Sequence, residues 1–316
     1  MDLNHDTCGQ EARSLIEEGL LSDQKYIPSK FFYDDAGSEL FEQITGLDEY
    51  YPPKIEAALL GTMARKIECD FRDSDIIELG SGDCSKISIF LEAIAEDIRA
   101  TIRYIPVDIS RGAIEKAANL LAKKFPGLRM HCMPADFLRH LDRIPEERRR
   151  VFFFLGGTIG NLSKQEASEF MGSLSCVMNE GDRLILGVDM VKDIDVLERA
   201  YNDSRGVTAR FNKNILKVVN RHMEGNFDTD DFEHAAYFNR HMERIEMHLR
   251  AKADVVFKSP ALKEDITVSR GETIHTENSH KFTDAGIRGL AAGAGLKIQN
   301  VFTDEKKWFS LVELLK

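Results

Sequence analysis

Asp75-Ile76-Ile77-Glu78-Leu79-Gly80-Ser81-Gly82 decides the reading of the fold: an apolar run that follows Asp75 and is interrupted by Glu78, then two glycines around a serine. Strands buried on both faces of a parallel sheet carry such near-continuous apolar runs. A Gly-x-Gly turn after one of them lets backbone approach a ligand while the next helix presents its N-terminus. Four similar runs follow at helix-length intervals: Arg103 to Val107, Leu128 to Met133, Arg150 to Leu155 and Arg183 to Val188. Helical patterns separate them, in Ser85 to Ile94, Ser110 to Lys124 and Lys164 to Met178, the second opening on Ser110 as N-cap and stopping before Pro126. The alternation predicts an α/β fold with a mostly parallel sheet and crossover helices.

The C-terminal stretch closes this unit differently. A helix over Ala285 to Ala294 stops at Gly295, and strands at Leu296 to Phe302 and Trp308 to Leu314 are joined by a short charged turn, which makes them antiparallel. Two segments fall outside the rhythm, 1–62 and 192–282, and are assigned together to a second α+β domain capping the first, which comprises 63–191 and 283–316. Within 192–282, Ile245, Met247, Leu249 and Ala251 alternate with Glu246, His248 and Arg250, the period of a half-buried strand. Asp265 to Glu277 is expected to supply its partners.

A net charge of -11 opposes a surface built to neutralise nucleic-acid phosphates. No apolar run approaches a membrane span, and Met1 to Gln10 is polar and acidic, unlike a signal peptide. The expectation is a cytoplasmic, monomeric protein acting on a small molecule. Cys8, Cys69, Cys84, Cys132 and Cys176 stand singly and read as reduced, mostly buried thiols. His275 and His280 are five apart beside one acid, so they read as solvated or hydrogen-bonded, and no metal site is expected.

The chemistry-bearing residues cluster where strands end. A dinucleotide fingerprint would need a glycine where Ser85 stands, so the Gly80-Ser81-Gly82 turn does not suit a pyrophosphate, whereas S-adenosyl-L-methionine has none. Glu78 is hard to explain as core, because charged side chains are rarely buried unpaired, and it reads as a partner for the cofactor amine. Asp108 is suited to accept from both ribose hydroxyls; its alternative is a helix N-terminal acid before Ser110. Asp136 and Phe137 offer a carboxylate for an adenine amino group and a ring to stack on the base, or an ordinary loop pair. Gly156-Gly157-Thr158-Ile159-Gly160-Asn161 follows the fourth strand, where glycines permit close approach and Asn161 offers both a donor and an acceptor. No nucleophile and base stand at local spacing to suggest hydrolysis. Methyl transfer from a sulfonium needs instead an aligned, deprotonated amine.

With these segments placed, the chain resembles the histidine N-alpha-methyltransferases of ergothioneine biosynthesis over nearly its whole length. The resemblance is carried by Lys30-Phe31-Phe32-Tyr33-Asp34, Gly37-Ser38-Glu39-Leu40-Phe41, Glu49-Tyr50-Tyr51-Pro52, the Glu78 to Gly82 turn, Gly156 to Asn161, and Ile274-His275-Thr276-Glu277-Asn278-Ser279. It implies a class I methyltransferase fold, Rossmann-like with an antiparallel C-terminal hairpin, and a second, substrate-binding domain. It implies that Gly80, Lys86, Asp108, Asp136 and Phe137 hold S-adenosyl-L-methionine, adding Lys86 to Glu78, Gly80, Gly82 and the acids read above. It also implies that Tyr51, Asn161, Tyr201, Glu277 and Ser279 surround L-histidine, with Met247 near its side chain and Tyr51, Asn161 and Gly156 positioning the reacting groups. In that arrangement Asn161 and Tyr201 donate to the carboxylate, while Glu277 and Ser279 pair with the imidazole. Tyr51 and Tyr201 have core packing as their alternative, and Glu277 an exposed turn. The sequence departs from many methyltransferases in carrying Asp83-Cys84 where a third glycine is common. Other readings are methylation of tryptophan, another amino acid or a modified histidine, and a non-catalytic protein that binds the cofactor; a nicotinamide oxidoreductase is disfavoured by Ser85 and the closing hairpin.

Overall fold

The structure is a computed structural model describing residues 3–67 and 70–316. Helices α1–α10 and strands β1–β13 are numbered along the chain. Two compact units share it: a larger one of Pro52–Val191 with His280–Lys316, and a smaller one of Met1–Tyr51 with Lys192–Ser279.

The larger unit contains α3 (Pro52–Lys66), β1 (Asp75–Leu79), α4 (Ser85–Ala93), α5 (Glu96–Arg99), β2 (Arg103–Asp108), α6 (Arg111–Lys124), β3 (Arg129–Met130) and β4 (Met133–Pro134). It continues with β5 (Arg150–Phe154), α7 (Lys164–Val177), β6 (Arg183–Asp189), α10 (Asp284–Gly293), β12 (Lys297–Thr303) and β13 (Phe309–Leu315). The strands form one sheet in the order β12-β13-β6-β5-β1-β2-β3, with β4 also on β2. Strands β1, β2, β5 and β6 are parallel, and β13 runs antiparallel to both β6 and β12. This is the class I methyltransferase fold, and the final strand lies inside the sheet while its hairpin partner forms the edge.

The apolar runs have the cause expected of them. All five side chains of β1 and of β5 are buried, and alternate residues go to opposite faces. Ile77, Leu79, Phe152 and Phe154 pack with Phe170 and Leu174 of α7 and Ile287 of α10. Ile76, Val151 and Phe153 pack with Leu60 and Met63 of α3 and Phe90 of α4. Where the sheet begins, Arg150 is buried against Asp182, donating from Nε at 2.8 Å and from its backbone N–H at 2.9 Å.

Three expectations need correcting here. Leu128 to Met133 is two pairings rather than one strand, Arg103↔Arg129 with Tyr104↔Met130, and Val107↔Met133 with Asp108↔Pro134. It lies at the sheet edge, where Pro134 can sit without a donor to give. The boundary near residue 62 moves to Tyr51/Pro52, because α3 packs on α4 and β13, and the second boundary moves from 282 to Ser279/His280. Cys84 is buried, but Cys132 and Cys176 are exposed, against the expectation of mostly buried thiols. The side chain of Cys8 and the whole of Cys69 lie outside the described residues.

The smaller unit holds α1 (Leu3–Leu21), α2 (Asp35–Thr45), α8 (Ile194–Tyr201), α9 (Val207–Met223), a three-stranded sheet and a short hairpin. The sheet runs β11 (Thr273–His280), β8 (Arg244–Ala251), β7 (Phe232–Asn239), and the hairpin pairs β9 (Val255–Phe257) with β10 (Ile266–Val268). Asp34 caps α2 by accepting from the Gly37 N–H at 2.7 Å, and is tied to α9 by Asn214 at 2.8 Å and by Arg221. The Phe32 and Phe211 rings stack with centroids 4.5 Å apart. The alternation in β8 does not expose one face: Glu246 and His248 are buried with their apolar neighbours. Of the segment 265–277, β11 lies beside β8, whereas β10 pairs with β9.

Candidate active site

At the end of β1 the chain turns through Gly80 at φ 72° and Gly82 at φ 52°, left-handed conformations that favour glycine. The Gly80 N–H donates to the Val107 carbonyl at 2.8 Å, tying the turn to β2. Asp108 then receives the Gly82 N–H on Oδ2 and the Ser110 N–H on Oδ1, both at 3.0 Å. Each oxygen keeps lone-pair capacity beyond its one backbone donor. The departure at Asp83-Cys84 has a local use: Asp83 Oδ1 accepts from the Ser85 N–H at 3.0 Å and its hydroxyl at 2.7 Å, fixing the start of α4. Phe137 packs edge-on to Phe154, centroids 5.4 Å apart, and its Cε1 would stand 3.5 Å from a Cβ at Gly80. Asp136 turns back on its own loop, with Oδ1 accepting from the Leu138 N–H at 2.9 Å and Arg139 lying 3.6 Å from Oδ2.

Glu78 behaves differently from the exposed acid that an amine partner would suggest. It is buried and accepts from the Tyr104 hydroxyl at 2.5 Å. Burial pushes its carboxyl up to about 8, against the weaker opposing pull of the Tyr104 hydroxyl and Lys86. A strand neighbour thus supplies the partner that the sequence alone did not reveal.

The loop after β5 opens with Gly156 at φ 80° and Gly157 at φ 65°, then winds into a 3₁₀ turn over Thr158–Asn161. Sequence reasoning missed the residue that holds this loop. Glu56 on α3 is buried; its Oε1 accepts the Gly156 N–H at 2.7 Å, and the Lys86 ammonium lies 3.0 Å from its Oε2. Nothing in the sequence marks one glutamate of a helical run as different. A second buried ion pair, Lys281 with Asp189 at 2.8 Å, was missed as well; Asp189 Cβ would lie 3.9 Å from a Cβ at Gly157.

In the smaller unit, Tyr51 is buried and its hydroxyl accepts from Lys192 Nζ at 2.6 Å. Tyr201 is also buried, donates to Ser279 Oγ at 2.8 Å, and meets the Tyr50 ring edge-on at 5.9 Å. Tyr33 leaves 46% of its surface exposed, yet its hydroxyl end is enclosed. That enclosure first, then the charge of Glu277 and the phenols of Tyr50 and Tyr201, raise its pKa well above the ordinary tyrosine value. Tyr33, Tyr50, Tyr201, Glu277 and Ser279 are therefore brought together. Met247 is buried in β8, where its carbonyl accepts from Thr276 Oγ1 at 3.0 Å. Asn161 belongs to the larger unit. His275 bonds Asn278 through Nε2 at 2.9 Å.

A sequence profile described as "Histidine-specific methyltransferase, SAM-dependent" matches residues 12–316. The chain is 40% identical over 306 residues to the histidine N-alpha-methyltransferase of Mycolicibacterium smegmatis, spanning 97% of this chain and 95% of the relative. Its identity to the histidine N-alpha-methyltransferase of Mycobacterium tuberculosis is 39% over 310 residues, spanning 98% and 96%. It is 30% identical over 334 residues to an L-tryptophan methyltransferase of Psilocybe serbica, spanning 96% and 92%. With a strand order that ends in an inserted antiparallel strand, a Gly80 turn tied to Asp108, and a match over almost all of its length, the chain belongs to the histidine-specific, SAM-dependent methyltransferase family.

Proposed function

We propose that the protein transfers methyl groups from S-adenosyl-L-methionine (SAM) to the α-amino group of L-histidine, three times over, giving hercynine. The observation that carries the substrate is Glu277: an acid whose charge acts on the phenol of Tyr33, which Tyr50 and Tyr201 also influence, with Tyr201 bonded to Ser279. A carboxylate and a hydroxyl suit the two nitrogens of an imidazole, one donating and one accepting.

The donor set of the larger unit fits SAM. The Gly82 turn is open, with nothing within 4 Å of an added Cβ, so a ligand can lie against its backbone. Asp108 keeps acceptor capacity for ribose hydroxyls, Phe137 offers a ring beside Gly80, and the part-exposed Lys86 ammonium is suited to the carboxylate of the methionine end. SAM supplies an electrophilic methyl group on a sulfonium. The protein's part is to hold a neutral amine in line with that methyl and to keep water away. Asn161, at the end of the loop after β5, offers a donor and an acceptor for orienting polar groups of the substrate. Tyr201 reaches Ser279 directly, so the two hydroxyls fix each other's direction. Glu78, protonated near neutrality, acts as a donor or acceptor rather than as a fixed anion.

On this reading the larger unit binds the cofactor, the smaller unit reads the amino acid, and the protein works in the cytoplasm. No helix among the described residues is long and apolar enough to cross a membrane. The test is incubation with SAM and a panel of amino acids, read by mass spectrometry. Mono-, di- and trimethylhistidine are expected. Methylation of tryptophan in place of histidine would move the substrate to that of the Psilocybe serbica relative, and methylation of no amine would remove the activity altogether.

A further inference from the structure

We infer that Glu56 is a positioning residue for the cofactor, holding the Lys86 ammonium over the Gly156 backbone so that it meets the SAM carboxylate; this rests on the SAM-binding reading of the larger unit. Glu56 sits on α3, outside every segment that first suggested a site, and its residue is wholly buried. A buried carboxylate without compensation is expensive, so its partners define its purpose. One oxygen takes the Gly156 N–H at 2.7 Å. The other takes no hydrogen bond among the described residues, and the Lys86 ammonium stands 3.0 Å away, off the angle of a hydrogen bond, as an ionic contact.

Two glycines make room for the pair. A Cβ at Gly156 would come within 2.6 Å of Lys86 Nζ, and a Cβ at Gly187 on β6 would overlap Glu56 Oε1. The lysine therefore lies directly on the loop that follows β5, drawn there by a carboxylate that also holds the loop. Its side chain remains 32% exposed, so the ammonium has donors to spare beyond the ion pair. The anionic group of SAM is its methionine carboxylate, which a fixed ammonium attracts at short range. Without Glu56, a lysine at the second position of α4 would extend into solvent, where its charge does little. Glu56 touches neither cofactor nor substrate in this account and acts through Lys86.

The test measures histidine methylation kinetics and calorimetric binding of SAM and of decarboxylated SAM for wild type, Lys86→Met, Glu56→Gln and the double variant. Glu56→Gln keeps an acceptor for Gly156 but loses the charge that holds Lys86. Its KM for SAM should rise about tenfold or more while the KM for histidine moves less than about twofold, the size expected for one charge-assisted contact. The wild-type preference for SAM over its decarboxylated analogue should shrink by a similar factor in Lys86→Met and in Glu56→Gln. The double variant should be no worse than Lys86→Met, since both changes break one chain of contacts. If Glu56→Gln does not fold, Glu56→Asp, which keeps charge but shortens reach, should show the same split between the two KM values. Equal rises in both KM values, an unchanged preference for SAM over its analogue, or fully additive losses would overturn the role of Glu56 alone. Wild-type protein that binds no SAM would overturn the SAM-binding reading and this inference together.

Discussion

The hydroxyl of Tyr104 on β2 donates to a carboxylate oxygen of Glu78 on β1 at 2.5 Å, inside the sheet and beneath the Gly80 turn. Burial is the larger influence on Glu78 and holds its pKa near 8, while its ordinary value is 4.5. A folded-state pKa raised in this way means that the folded protein binds the proton more tightly than the unfolded chain. The stability associated with protonated Glu78 is thus fully present below about pH 4.5 and is lost as pH rises through about 8. Glu78→Gln, neutral at every pH, should match wild type near pH 4.5 and exceed it at pH 8.5 by about 2 kcal/mol or more. Thermal unfolding without SAM at the two pH values measures the difference; a gap that does not change with pH would show that Glu78 is ionised in the folded protein.

Glu277 lies in the smaller unit with the Tyr33 phenol on which its charge acts, so its removal bears on the substrate rather than on the cofactor. Glu277→Ala should raise the KM for histidine by about 10- to 100-fold, the range of a hydrogen bond to a charged group, with SAM affinity changed less than about twofold. Steady-state kinetics paired with calorimetry of SAM separates the two. Comparable losses for both ligands would contradict the assignment.

Gly156 can be tested by crowding. A methyl group there would meet the Lys86 ammonium at 2.6 Å and would also strain a backbone at φ 80°. Gly127, at φ 95° with open space around it, supplies the control for strain alone. Both Gly156→Ala and Gly127→Ala should cost about 1 kcal/mol of stability. Only Gly156→Ala should raise the KM for SAM, by about tenfold. A similar kinetic loss in both variants would mean that general strain, and not the lysine's place, governs cofactor binding.

How far the sequence could be read depended on whether the cause was local. Ile76 to Leu79 and Arg150 to Leu155 announced buried parallel strands because both faces of those strands are covered, which only continuous apolar runs satisfy. Gly80, Gly82 and Asp108 were visible because a turn chemistry and a strand-end acid are short-range patterns. Glu56 was not, since its meaning lies in Gly156, a hundred positions away, and in Lys86, whose own helix-face place looked ordinary. The alternation in β8 misled for a related reason: a middle strand covered on its second face can bury Glu246 and His248 once neighbouring strands supply partners. Residues 128–133 read as one strand because apolar content does not show that pairing is interrupted at the sheet edge.

That buried cluster in β8 should make the smaller unit sensitive to acid. Glu246 is desolvated, which by itself raises its pKa, but Arg244 at 2.8 Å, Tyr237 at 3.0 Å, Asn239 at 2.9 Å and the nearby His248 together hold it down at about 2. His248 is lowered below the ordinary histidine value of 6.5 first by its burial, and by Arg244 and Arg250, with Glu246 pulling the other way. His275, whose ring lies 5.0 Å from that of His248 and whose Nε2 bonds Asn278, is lowered by burial and then by His248. All three groups have depressed folded-state pKa values, so each contributes stability that is present above its unfolded pKa and lost as pH falls. The window opens near 6.5 with the two histidines and extends down through about 2 with Glu246. In the Glu78→Gln background, which removes the opposite pH dependence of Glu78, the melting temperature should therefore fall from pH 7 to pH 4. His248→Gln keeps a polar group beside Tyr237 and Glu246 without a titrating ring, and should flatten the slope between pH 6.5 and 5. Resonances of His248 and His275 followed by NMR should titrate below 6.5. A His248 that protonates at or above that value would mean that Glu246 outweighs burial, and acid would then strengthen the cluster instead of opening it.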